Sequence, residues 1–153
     1  MLALKIADAD VKDFMNKLLR EEVFDNFEVH NIIINSFAKF DISGGLYYAD
    51  DTASDKKHTS WQKLQPYVFN IIKGNKRPEY MKFVFFAGDK MQAELSETKA
   101  VYFLNIIFEN KQILVTSAVM VKEFTLDRSQ EYIWDTYVAN FFKKHKIAAI
   151  ASI

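Results

Sequence analysis

Three cations crowd one stretch of this chain, where Lys73, Lys76 and Arg77 surround Gly74-Asn75. An arginine can grip a carboxylate or phosphate through two parallel N–H bonds, and neighbouring lysines add charge. The chemistry on offer is anion binding. The same cations also suit the negative end of a helix dipole, where they cap the last carbonyls. No glycine-rich loop precedes a helix here, and an anion prefers a helix N-terminus. Lys73, Lys76 and Arg77 are thus candidate ligand-binding residues without a phosphate-loop signature.

The other chemistry-bearing groups are sparser. Asp50, Asp51, Asp55 and His58 share the stretch DDTASDKKH and offer carboxylates to a hard cation. Their spacing matches no calcium loop and no glycine marks the turn, so a solvated acidic loop is the favoured reading and no metal site is assigned. His30 falls in a strand pattern and His145 in a basic helix end. With three His, no GxSxG and no HExxH, neither a zinc enzyme nor a serine hydrolase has a motif to rest on. No cysteine is present, which removes disulfides, thiolate metal sites and a Cys nucleophile. No catalytic residue and no cofactor are assigned. Among the aromatics, Trp61 and Trp134 lie on apolar helical stripes and read as core. Tyr47 and Tyr48 follow Gly44-Gly45, so at least one should point to solvent, and they are the candidate interaction surface.

Composition bounds the setting. The 153 residues suit one α+β domain spanning 1–153, and fourteen Phe point to a core of large rings. Twenty basic and twenty acidic side chains cancel, without the basic excess that nucleic-acid binding usually shows. Charges at Lys5, Asp8 and Asp10 interrupt the start too early for a signal peptide, and no apolar run is long enough to span a bilayer. The expectation is a soluble cytoplasmic protein that binds neither nucleic acid nor membrane.

The elements that must position these residues centre on Ala100 to Phe124, which reads as a long antiparallel hairpin. A turn at Asn110-Lys111 pairs Glu109 with Gln112, Phe108 with Ile113, Ile106 with Val115, Leu104 with Ser117 and Tyr102 with Val119. The last four pairs share one face, and seven of their eight residues are apolar. The opposite face is mixed. Asn tolerates the positive φ of a two-residue turn; Lys in second place is unusual.

Upstream, Leu2 to Ile6 reads as a strand, and Asp8 or Asp10 as the cap of a helix whose stripe is Val11, Phe14, Met15, Leu18 and Leu19. Val29 to Ile42 alternates like one long strand, or two separated by a bulge near Ser36. Gly44-Gly45 supplies a tight turn. A second helix opens at Thr59 or Ser60, is kinked or restarted at Pro66, and stops at Gly74. Tyr80 to Ala87 fits an inner strand, and Gly88 to Lys99 suits either helix or strand. Asp127, with Gln130 three residues on, caps a third helix. The apolar tail IAAIASI docks on the domain or on a neighbour.

The first two helices match in phase at an offset of 53, which also carries Phe27 onto Tyr80 and Ile32-Ile33 onto Phe85-Phe86. That offset predicts a helix–strand pseudo-repeat. Three stretches, LKIADADVKDFMNKLL, WQKLQPYVFNIIKGNKRP and FTLDRSQEYIWD, resemble as a set an uncharacterised bacterial family of the domain-of-unknown-function kind, along nearly the whole chain. The chain departs from the family pattern at an extra Ala9-Asp10 and in a shorter Gly88–Lys99 connection. The resemblance implies a compact domain and brings no activity with it.

Together these features predict an antiparallel sheet of five to seven strands with three helices packed on one face. They assign no reaction. The reading they favour is a non-catalytic binding or protein-interaction module, working through an unknown protein partner or as a homodimer by an edge strand or the mixed hairpin face. The alternative is a small-ligand or anion-binding protein, an enzyme included, using Lys73, Lys76 and Arg77 beside a cleft.

Overall fold

The computed structural model describes residues 1–46, 57–74, 76–95, 100–121 and 126–152. Seven strands form: β1 (Ala3–Ile6), β2 (Phe27–Asn35), β3 (Lys39–Ser43), β4 (Tyr80–Ala87), β5 (Ala100–Glu109), β6 (Gln112–Val121) and β7 (Ile150–Ala151). They make one antiparallel sheet in the order β3-β2-β4-β5-β6-β1-β7. The helices are α1 (Val11–Leu19), α2 (Trp61–Ile72), α3 (Asp89–Leu95) and α4 (Ser129–Lys144). Three were expected; the fourth, α3, takes up the segment whose sequence suited either state.

The β5–β6 hairpin has the expected register throughout, from Glu109↔Gln112 to Tyr102↔Val119. Its turn residues Asn110 and Lys111 both have positive φ, 53° and 61°. On one face of the sheet Phe83, Phe85, Leu104, Ile106, Ile113 and Val115 are buried. The helices cover this face with rings. Trp61 of α2 meets Phe83 edge-on at 5.7 Å, Trp134 of α4 lies 5.5 Å from Tyr102, and Phe141 of α4 sits 5.5 Å from Phe27. Both tryptophans are fully buried, and each indole N–H is satisfied. Trp61 donates to the Leu18 carbonyl at 3.0 Å, and Trp134 to the Phe103 carbonyl at 2.8 Å.

The helix–strand units at the offset of 53 are spatial neighbours. Phe27–Asn35 and Tyr80–Ala87 lie side by side and antiparallel, and α1 touches α2. Gln65 ties the two helices by donating to the Leu18 and Glu21 carbonyls that close α1.

Several local expectations are corrected. Residues 29–42 form a hairpin, with Ser36 in its turn, and the bulge falls at His30, between Val29 and Asn31. Neither Asp8 nor Asp10 caps α1 with its side chain; a 3-10 turn, Asp8–Asp10, leads into the helix instead. The helix α2 runs unbroken through Pro66, with Trp61 and Val68 buried on either side of it. Only the Gln62 carbonyl loses a helical donor there, a loss that the packing on both sides outweighs. Gly74 stops the helix at φ 75°, as expected. Asp127 does bind the start of α4, accepting from the Ser129 N–H and hydroxyl, but Gln130 is drawn away to accept from the Tyr102 hydroxyl. The tail adds β7 to β1 of its own sheet, with Ile147 buried.

Gly44 is the clearest departure. It makes no turn: its N–H donates to the His30 carbonyl, continuing the pairing beyond β3. A Cβ there would lie 1.8 Å from the Val29 carbonyl oxygen, so the bulged backbone needs a glycine for close approach. At Gly45 the nearest atom would be 3.6 Å away. Gly44→Ala is expected to lower unfolding free energy in urea by about 3 kcal/mol. Gly45→Ala should stay within about 0.5 kcal/mol of the native protein.

Candidate functional site

Three regions of the surface bring chemistry together. The first is the sheet face opposite the helices. Cross-strand register puts Asp41, Ile33, Lys82, Ile107, Leu114 and Lys5 in one row, running from β3 across to β1. A second row is Ser43, Asn31, Val84, Asn105, Thr116 and Ala3. Phe86, Phe103 and Ala118 form a third. The central members are half-buried by one another, while Asp41 and Lys5 at the ends are exposed. Met120 is 63% and Val101 39% exposed on the same face. Among the described residues no helix packs against it.

Two imidazoles occupy a corner of this face. The bulge turns His30 toward Phe86 and Phe103, with ring centroids at 5.2 and 6.1 Å. His58 reaches the same place because its strand-like segment pairs with Gly45. It lies 4.7 Å from Phe86 and stacks on His30 at 6.2 Å. Burial, then the nearby His30 and Lys57, push the His58 imidazole below its ordinary value.

The second region is a cleft of about 410 Å³ where the tip of the β5–β6 hairpin meets the start of α1. Arg77, Lys12, Lys111, Asp8, Asn110 and Gln112 line it. The third is a cleft of about 350 Å³ between the connection after α1, α3 and the end of α4. Glu22, Glu94, Tyr137, Asn140, Lys144 and His145 contribute to it. Burial and the Glu94 carboxylate raise the Tyr137 phenol. Burial, Lys144 and Lys17 lower the His145 imidazole.

The sequence-predicted site residues are dispersed among these regions. Of the basic trio, Arg77 enters the second cleft, whereas Lys73 closes α2 and Lys76 is exposed; neither lines that cleft. Lys12 and Lys111 take their place beside Arg77. Register can identify Lys111, since a hairpin turn at Asn110-Lys111 fixes where it projects. Lys12 needs the tertiary fold, because α1 and the hairpin are far apart in sequence. Tyr47, Tyr48, Asp50, Asp51 and Asp55 lie outside the described residues. Among the described residues, no three His, Asp or Glu side chains converge as metal ligands, and no helix is long and apolar enough to cross a membrane.

Similarity to known proteins agrees with the sequence resemblance. The family described as Family of unknown function (DUF5721) matches residues 17–149, from within α1 to just short of β7. The chain belongs to this family. No curated protein and no solved structure matches it. The family carries no assigned function.

The histidine corner yields a pH effect with a definite sign. His58 is protonated less readily folded than unfolded, so it costs nothing well above its ordinary value of 6.5. As pH falls through that range the unfolded chain takes the proton first, and stability declines. His145 acts in the same sense. Melting temperature should therefore drop between neutral and mildly acidic buffer, and His58→Gln should make the drop shallower. An unchanged slope would show that the corner does not hold His58 neutral.

Proposed function

We propose that the protein is a non-catalytic interaction module that binds a second copy of itself across the sheet face that no described helix covers. The supporting observation is the charge layout of that face. Its central row begins with an acid, Asp41, and ends with a base, Lys5, with Ile33, Lys82, Ile107 and Leu114 between them. A two-fold axis parallel to the strands, between β4 and β5, sets Asp41 of one copy on Lys5 of the other. The same axis faces Ile33 with Leu114 and Phe86 with Phe103. Lys82 then lays its aliphatic stem against Ile107 while its ammonium reaches the rim. A closed two-fold interface needs this self-complementarity.

Size is compatible too. Four central strands of eight to ten residues, with their rims, give a face on the order of 600–800 Å² at ordinary strand spacing. Stable interfaces bury about 800 Å² per partner. The formal net charge of zero places no general repulsion between copies.

Sedimentation velocity across a micromolar concentration series tests the proposal. Leu114→Asp should weaken the dimer at least about tenfold, because it sets a charge against Ile33. Lys5→Glu should weaken it only about two- to fivefold, as rim charges do, and adding Asp41→Lys should restore affinity. A protein that stays monomeric at every concentration, with its native fold intact, would sink the reading. So would a dimer indifferent to Leu114→Asp.

A further inference from the structure

The tip of the central hairpin carries a side chain that its backbone does not favour. Two-residue turns with positive φ at both positions usually place glycine second. Here Lys111 stands there at φ 61°, after Asn110 at 53°. Asparagine tolerates that conformation; in lysine it crowds Cβ against the following carbonyl oxygen. This residue lines the 410 Å³ cleft together with two further exposed cations from distant segments. Lys12 comes from the first turn of α1, and Arg77 from the connection that precedes β4.

Among the described residues no carboxylate neutralises these cations. Pro78 follows Arg77 and is buried, which biases the arginine backbone toward an extended conformation. The guanidinium lies 6.0 Å from the Phe108 ring centroid. None of Arg77, Lys12 and Lys111 forms an ion pair with a described carboxylate; the pairs present join Lys17 to Asp13 and the terminal amine to Asp135. One acid, Asp8, lines the same cleft without reaching any of the three. Three bases and one acid leave an excess of two positive charges. The cleft volume is within the about 300–1,000 Å³ typical of small-molecule sites.

The geometry points to a binding site for a small phosphate monoester that also bears hydroxyl groups, such as a sugar phosphate. A phosphate monoester carries about −1.5 to −2 charge at neutral pH on three oxygens, which matches the excess and its three sources. Arg77 grips two oxygens, Lys111 and Lys12 approach from the other sides, and Asp8 accepts from a ligand hydroxyl. Asn110 and Gln112 add amide groups at the mouth. This site is separate from the uncovered sheet face and does not depend on self-association.

Isothermal titration with glucose 6-phosphate, inorganic phosphate and glucose tests it. Glucose 6-phosphate should bind saturably and more weakly as salt is raised, inorganic phosphate less tightly, and glucose not at all. Lys111→Gly is the decisive variant, because it should raise the melting temperature by relieving the turn and weaken glucose 6-phosphate at least about tenfold. Arg77→Gln should weaken it similarly. Asp8→Asn should narrow the preference for the sugar phosphate over inorganic phosphate. Absence of saturable binding to the native protein, or affinity unchanged in Lys111→Gly and Arg77→Gln, overturns the site. Equal affinity for inorganic phosphate and glucose 6-phosphate overturns the role given to Asp8.

Discussion

Register in the β5–β6 hairpin is the constraint on which the rest of the molecule depends. Strand side chains alternate faces, so a slip by one residue would send Leu104, Ile106, Ile113 and Val115 to the uncovered side. Two devices prevent the slip. The Asn110-Lys111 turn permits only a two-residue loop, and the four aliphatic side chains form a buried surface on which α4 can pack. The hairpin then templates both flanks of the sheet, with β4 and β2 added on one side and β1 and β7 on the other. One choice of register thus decides which face is core, which face is open and where the ammonium of Lys111 projects.

The helices are fixed to that template by a few polar bonds within a mainly apolar layer. Indole donors on Trp61 and Trp134 each find a backbone carbonyl, which allows large rings to be wholly buried without an orphaned N–H. Ser117 is the buried polar residue of the sheet, and it accepts from the Leu2 N–H while donating to Asp135 of α4. That hydroxyl joins β6, β1 and the last helix at one point. Phe24, in the connection after α1, contacts Phe14, Phe27, Phe85 and Phe141 and so bridges helices and sheet. A core built this way tolerates little change of shape, because each ring abuts several others.

Elements whose signal is local were legible in the sequence. The hairpin register, the inner strand β4, the stripe of α1 and the burial of both tryptophans follow from periodicity and turn chemistry alone, whereas on α2 Tyr67 faces outward at 69% exposure although helical spacing puts it on the apolar stripe. Features that depend on a distant partner were not. Gly44 looked like a turn because glycine pairs usually mark one, yet its requirement comes from the Val29 carbonyl across the sheet. The bulge at His30 marks β2 only by a change of phase, the buried positions passing from Phe27 and Val29 to Ile32 and Ile34, and the run Ile32-Ile33-Ile34 hides that change in the sequence. The basic trio rests on sequence proximity, whereas Arg77 shares a cleft with Lys12 and Lys111 only once the hairpin tip and α1 are brought together. Proximity along the chain is a poor guide to a cleft that three separate segments build.

The face that no described helix covers has a composition that suits both water and the proposed pairing with a second copy. Its apolar rows are interrupted by Asn31, Asn105 and Thr116, which keep hydrogen-bonding capacity at the centre. Asn31 already donates to Asp41 at 2.7 Å, which holds that carboxylate at the sheet edge. Face-to-face pairing about the proposed axis brings Asn31 opposite Thr116 of the other copy, donor against acceptor. Asn105, by contrast, meets Val84 and must keep a water or rearrange. Burial of such a face gains less than its area suggests, because each polar group taken from water needs a new partner. On the proposed pairing, the layout favours a reversible dimer over an obligate one.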